Sequence, residues 1–421
     1  MHARRSKVWH DDKGAFEAMS GATADPRLIG ARAAPRKALR LSWSDPIFRA
    51  IFWQVLIVGF VVLVVWYLIG NTSRNLAARH IATGFGFLGR VAGIPIGESP
   101  IPYNPAVDTY GTALIIGILN TLRVAIVGIV LATILGTLIG IGRLSGNWLL
   151  AKLTAFYVET LRDIPVLLQL FFWYSVMQTL PPPRQSWHIG ELVYFSNRGA
   201  RFAGLEWDPA YTWCLVGFVV GIICTVAWSR IARRRQDATG RRPPVWPVGL
   251  CLMIGLPLAI WALFGAPFRP DMPVLRGFNF QGGGTISPEY FALLLGLVIY
   301  TAAYIAEIVR SGIQSVPLGQ WEAAGALGLR RGNILRRIVL PQALRVIIPP
   351  MTSQYLNITK NSSLAVAIGF QDIVSIAYTT LNQTGQAIEG VAIIMAVYLT
   401  ISLSISLFMN WYNARIALVE R

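Results

Sequence analysis

The chain has 421 residues, 54% of them hydrophobic and only 14% charged, with a formal net charge of +17. A soluble domain carries about 25% charged residues, whereas several apolar runs here reach the roughly 20 residues that a helix needs to cross a bilayer, so the composition excludes a soluble globular protein. Backbone groups in lipid must bond within their own helix, so the expected class is an all-α integral membrane protein, with its cations read first as topology signals and only the remainder as a nucleic-acid surface.

Residues 1–46 lack helical periodicity and hold nine cations, among them Arg4, Arg5, Lys7 and Arg40; a basic flexible cytoplasmic tail is expected. The apolar run at about 51–69 is long enough to span rather than to be a cleaved signal peptide. Residues 47–111 are read as this first span followed by a periplasmic loop with Pro95, Pro100, Pro102 and Pro105. The loop contains GFGFLG at 84–89, a fit to GxGxxG. No strand–helix unit surrounds it, so a flexible apolar loop at the membrane surface is expected and a dinucleotide site is not.

Seven further spans follow, at about 112–141, 156–180, 210–228, 247–265, 288–309, 344–381 and 391–411, making eight. Gly136 and Gly140 form a GxxxG pair in the second, which either admits a neighbouring helix or faces lipid by accident. The third opens on Glu159-Thr160-Leu161-Arg162-Asp163 and stops at Pro181-Pro182-Pro183. Arginines 230, 233, 234, 235, 241 and 242 lie between the fourth and fifth spans, where a topology anchor is expected ahead of a nucleic-acid patch. Gly282, Gly283 and Gly284 suggest a flexible outer loop before the sixth. The seventh is interrupted by the polar string Thr359-Lys360-Asn361-Ser362-Ser363. Cys214, Cys224 and Cys251 fall inside apolar runs, and His2, His10, His80 and His188 show no ligand spacing, so no metal site or nucleophile is expected.

With eight spans, 26 of the 37 Lys and Arg fall on one side and 8 on the other, while Arg123, Arg162 and Lys360 lie within or at the ends of spans. This asymmetry places both termini in the cytoplasm, and it accounts for most of the basic charge without nucleic acid. It also puts residues 322–341, EAAGALGLRRGNILRRIVLP, in the cytoplasm. Glu322 favours a helix N-terminus through the macrodipole, and Ala323 and Ala324 propagate the helix. Gly328 turns the chain where another residue is strained by roughly 1–2 kcal/mol. Ile334, Leu335, Ile338 and Val339 form the apolar face of a second short helix, and Pro341 suits the first turn of the next span. Two helices and a glycine bend make a knob that either docks in a groove on a soluble subunit or lies on anionic lipid.

The spacing is Glu322-Ala323-Ala324, three residues, Gly328, nine residues, Ile338, one residue, Leu340-Pro341. It resembles the EAA loop of ABC importer permeases. Asn120-Thr121-Leu122, Glu159 to Pro165, Tyr304 to Gly312 and Leu340-Pro341-Gln342-Ala343 are similar to the polar amino-acid uptake permeases. The run NITKNSSLAVAIGF at 357–370 resembles their general L-amino-acid branch, as do the first span and the extra helix pair at about 182–287. The resemblance covers nearly all of the chain beyond residue 46.

It implies a five-helix type I ABC importer core within residues 112–413, a coupling loop at 318–341, and docking rather than lipid contact for that loop. It further implies ATPase-coupling roles for Glu322, Ala323, Ala324, Gly328, Ile338, Leu340 and Pro341. No Gly-Lys dipeptide occurs in the chain, so a Walker A loop is absent. The chain is therefore read as no enzyme and as holding no cofactor, ATP being used by a partner.

The implied partners are two ABC ATPase subunits, a second related permease and a periplasmic amino-acid-binding protein, in a multi-pass inner-membrane assembly of a bacterial cell. Polar residues inside spans mark a substrate path or an interhelical hydrogen bond. Asn361, Ser362 and Ser363 at the break, with Gln169, Glu307 and Gln354, are the candidates, and Glu307 stands one turn from Arg310, where an i,i+3 ion pair explains it. The function expected is ATP-driven uptake of polar or general L-amino acids. The alternatives are an ion-gradient-driven secondary transporter and a non-transporting scaffold.

Overall fold

A computed structural model describes residues 43, 46–78, 83–241 and 243–416. The expected basic tail lies outside the described residues except for Trp43 and Pro46. The chain divides into two units, Met1–His80 and Ile81–Arg421. Among its described residues the first contains one helix, α1 (Pro46–Ala78), with a span at Phe48–Asn75 of mean hydropathy 2.5.

The second unit opens on a 3₁₀ turn, Phe85–Gly89, so the GFGFLG stretch is ordered, with Phe87 buried against Tyr110. Helix α2 (Tyr110–Arg143) begins on the N-cap Thr109. Helix α3 (Trp148–Asp163) is capped by Asn147, whose side chain accepts from the Leu149 and Leu150 N–H groups at 3.0 and 3.2 Å. Helix α4 (Val166–Gln178) follows. The single span expected at 156–180 is thus two helices. Pro165 forces the residue before it out of helical geometry, and Ile164 is extended at φ −90°, ψ 125°. The 13 residues of α4 reach about 20 Å, short of the ~30 Å hydrocarbon core.

The all-α expectation holds for the apolar helices and fails in two segments read as loops. Strands β1 (Trp187–Ile189), β2 (Val193–Ser196), β3 (Gly199–Phe202) and β4 (Gly204–Leu205) precede helix α5 (Pro209–Thr239). Helix α6 (Trp246–Leu250), a π-helical stretch (Cys251–Gly255) and helix α7 (Leu256–Leu263) return alongside α5. Strands β5 (Pro270–Asp271), β6 (Val274–Arg276), β7 (Asn279–Gln281) and β8 (Gly284–Ile286) follow. The first three strands and β8 form an antiparallel sheet in the order β1-β2-β3-β8, with Phe195 opposite Ala200 and Arg201 opposite Thr285. The two loops are therefore one structure, closed by partners some 80 residues apart that no local pattern reveals. Gly282 to Gly284 are ordered as well, and the Gly283 N–H donates to Asp271 Oδ2 at 2.7 Å. Arg230, Arg233, Arg234 and Arg235 lie on the exposed end of α5 rather than in a loop.

Helix α8 (Pro288–Gln314) starts on the N-cap Ser287. After it come α9 (Leu318–Ala326), α10 (Arg331–Ile334), a π-helical turn (Leu335–Val339), α11 (Leu340–Asn361), a 3₁₀ stretch (Ser362–Ile368), α12 (Ile373–Thr384) and α13 (Ala387–Ile416). Segments Arg331–Ile368 and Ile373–Thr384 form a span bent by 52°. The interruption begins at Ser362, later than the expected start at Thr359. Thr359 stays helical, its hydroxyl donating to Tyr355 O at 2.9 Å, and the turn is made by Gly369 at φ +80° and the N-cap Asp372. Among the described residues six helices are long and apolar enough to span, and the bent pair makes a seventh. The eighth expected span is the one broken at Pro165.

Helix α8 is the axis. Sixty-one per cent of its most apolar window is buried, against 33% for α2 and none for α13. Helices α2, α3, α4 and α11 surround it. Lipid tails are as apolar as leucine, so helices in a membrane associate through close packing rather than apolar burial. The packing of α2 on α8 is of that kind. A Cβ added at Gly136 would lie 2.6 Å from Ile305 Cβ and 2.8 Å from Ala302 O, and one at Gly140 would lie 2.7 Å from Ala306 O. The GxxxG pair therefore faces α8. Gly128 meets Leu294 and Gly140 meets Val309, so α2 and α8 run parallel. Ile347 of α11 meets Gly312, and Ile358 meets Gly128, so α11 runs back. Gly136→Ala is expected to cost about 1–3 kcal/mol through overpacking and to lower the midpoint of thermal unfolding of the detergent-solubilised chain. Gly146→Ala, where a Cβ meets nothing within 4 Å, leaves the midpoint unchanged.

Candidate functional site

At the end of the bundle where α2 and α8 finish, the chain builds a compact projection. Helix α9 begins at Leu318, after Pro317, so Glu322 sits in mid-helix rather than at the N-terminus expected from its charge. Pro317, with its fixed φ, starts the helix one turn earlier. Ala324 is buried, whereas Glu322, Ala323 and Gly328 are exposed. Gly328 takes φ +71°, and the Leu329 N–H reaches back to Ala324 O at 3.3 Å, which closes α9 in a Schellman-type cap. Ile334 and Val339 are buried, and Trp321, Leu329 and Ile338 pack against the same core.

The second helix does not stop before the next span. It runs on from Arg331 through the π-helical turn into α11. Pro341 has no N–H to donate one turn back, and the turn widens just ahead of it. Leu340 is exposed and Pro341 half-buried. Arg330, Arg331, Arg336 and Arg337 all face outward. Leu318 and Leu327 are 76% and 79% exposed, so the projection presents apolar tips as well as cations.

Beside this projection lies a charge cluster. Arg310 pairs with Glu307 at 2.6 Å, the expected i,i+3 contact, and donates to Gln314 at 2.7 Å. Arg143, at the end of α2, also pairs with Glu307 and stands 3.9 Å from Glu159 of α3. The Arg162 guanidinium lies 5.0 Å over the Tyr304 ring. The polar string that opens the third expected span and the motif on α8 thus meet here, which their sequence separation hides.

The other path candidates are dispersed. Gln169 is 5% exposed, and its amide donates to Leu161 O at 2.9 Å and Ile164 O at 3.0 Å, clamping the α3–α4 break. Ser362 is buried, and its hydroxyl and that of Ser363 donate at 2.7 Å to Thr359 O and Lys360 O, carbonyls of the last turn of α11. Asn361 ends α11 half-buried, and Gln354 is half-buried within it.

A second polar cluster, at the opposite end, escaped the sequence reading. Segment 90–109 crosses the starts of α2 and α8. Glu98 pairs with Arg123 at 2.8 Å and accepts from the Ser287 N–H. The Arg123 guanidinium lies 4.1 Å over Tyr290. Asn120 donates to Glu98 O and Gln371 O, and Gln371 in turn holds Pro95 O and the Gly97 N–H. Burial, aided by the Asp108 carboxylate, raises the Tyr103 hydroxyl above its ordinary range, so it stays a proton donor to Ile94 O at 2.9 Å. An arginine inside an apolar run, Arg123, was the available signal.

The sequence profile described as "Binding-protein-dependent transport system inner membrane component" matches residues 245–418. The chain is 50% identical over 386 residues to the general L-amino acid transport system permease protein AapQ of Rhizobium johnstonii, covering 91% of this chain and 96% of AapQ. It is 51% identical over 383 residues to the putative amino-acid ABC transporter permease protein YhdX of Escherichia coli K12, covering 90% and 97%. It is 39% identical over 422 residues to BztB of Rhodobacter capsulatus, a glutamate/glutamine/aspartate/asparagine transport system permease protein, covering 92% and 98%.

For the charge cluster, Glu307→Gln and Arg143→Met are expected to couple by about 0.5–3 kcal/mol. A double-mutant cycle on thermal unfolding in detergent measures this, and additive effects would show that the pair contributes nothing.

Proposed function

Since this chain belongs to the binding-protein-dependent inner-membrane permeases of ABC importers, in their amino-acid branch, we propose that it carries general or polar L-amino acids from the periplasm in an assembly driven by separate ATPase subunits. The observation that supports this best is the projection at 318–341. It is anchored by Ala324, Ile334 and Val339 and exposes Glu322, Gly328, two leucine tips and four arginines. An element rigid at its base and amphipathic at its tip suits a groove on a soluble subunit, because apolar anchors fill pockets while charges set register. The chain has no Gly-Lys dipeptide of its own, so the energy must arrive through such a contact.

The remaining assignments follow from the charge asymmetry and the family. Both termini and the projection face the cytoplasm, and the short strands and segment 90–109 face the periplasm, where a binding protein delivers substrate. A second, related permease completes the path. The helix break after Asn361, with Ser362 and Ser363, lies on that path; Gln169 and Glu307 hold its walls together. An ion-gradient mechanism gives the projection no purpose, and the relatives are ABC permeases.

The test is a series at Gly328, where an added Cβ meets nothing and only the backbone conformation is strained. Asn tolerates a left-handed φ and Val does not. Gly328→Asn is expected to keep most ATP-dependent uptake in proteoliposomes, and Gly328→Val to insert normally while hydrolysis no longer drives uptake. Equal coupled uptake across the series would remove the coupling role. Uptake that needs only an ion gradient, without ATP, would overturn the importer reading itself.

A further inference from the structure

The end of the bundle opposite the projection contains a polar cavity of about 320 Å³, bordered by Gly97, Glu98, Asn120, Ser287, Glu289 and Gln371. The coupling role makes no use of it. Glu98 is engaged, one oxygen on Arg123 at 2.8 Å and the other on the Ser287 N–H. Asn120 is fully buried, and its Nδ2 donates to two carbonyls, Glu98 O at 3.1 Å and Gln371 O at 2.9 Å. Those two bonds decide which way the amide faces, because only the nitrogen can donate. Oδ1 is therefore an acceptor, enclosed behind the cavity wall with no partner among the described residues. Glu289, half-buried in the first turn of α8, accepts from the Tyr174 hydroxyl at 3.3 Å through Oε1 and brings a carboxylate to the cavity wall.

The carboxylate on the wall without a cation partner among the described residues is thus Glu289, beside a Ser287 hydroxyl that is free to donate. A ligand that pairs with Glu289 brings an N–H donor and positive charge. The cavity is about ten times the roughly 30 Å³ share of one water molecule, so a lone inorganic cation leaves most of it empty.

We propose that this cavity is an entry vestibule, in which Glu289 takes the ammonium group of an incoming L-amino acid. The inference rests on the importer reading and deepens it by naming where, and by which group, the substrate is first held.

The test is equilibrium dialysis of radiolabelled L-glutamine against the complete permease–ATPase complex in nanodiscs, with no binding protein present. Glu289→Gln is expected to weaken binding about tenfold, the size of one charge-assisted hydrogen bond, and Glu289→Asp to retain most of it. The deaminated analogue glutaramate is expected not to compete, nor is ammonium chloride at the same concentration. Unchanged affinity in Glu289→Gln overturns the vestibule, as does equal competition by glutaramate or displacement by ammonium chloride alone. The competition arms use the unsubstituted chain and stand even if a variant does not assemble. Loss of ATP-dependent uptake by the unsubstituted complex sinks the importer reading instead, whatever the dialysis reads.

Discussion

Two parallel helices in backbone contact support everything else in the second unit. Helix α2 lies on α8 with Gly136 and Gly140 against the carbonyls of Ala302 and Ala306. In water such a pair would be held by removal of apolar surface. In lipid that force is absent, and what remains is dispersion between surfaces that meet without gaps. Glycine supplies this by subtraction, since any side chain would hold the backbones apart.

Because the helices are parallel, each end of the pair collects the residues of one face of the membrane. At one end Arg123, Asn120, Ser287 and Glu289 converge with Glu98 from the segment before α2 and Gln371 from the helix break. At the other, Arg143 meets Glu307 and Arg310 close to the α9–α10 projection. Charged groups inside a membrane are expensive unless paired, and Glu98 with Arg123, like Glu307 with Arg143 and Arg310, is so paired. The ion pairs thus stand toward the two ends, while the middle of α8 is packed with small and aliphatic residues such as Leu293, Leu297, Ala302 and Ile305.

Local chemistry was legible where a single residue decides the backbone. Gly328 bends, and the Glu307–Arg310 pair follows from one helical turn. Where two signals competed, the reading slipped. Apolarity at 156–180 promised one span, but Pro165 broke it, and the polar string at 359–363 promised a break from Thr359, but Thr359 bonded its own helix and the break came at Ser362. Proline constrains the backbone absolutely, whereas a threonine hydroxyl can be satisfied without leaving the helix.

The amino-acid sequence by itself determined the membrane-embedded class, the charge asymmetry and the spacing of the 322–341 motif. Each of these depends on composition or on residues within a turn or two of one another. Only the tertiary structure decided that β8 joins β3, that Arg143 finds Glu307, and that the Asn120 amide joins Gln371. Those contacts join residues from about 80 to 250 positions apart, and their partners are chosen by how the helices pack, which no periodicity along the chain encodes.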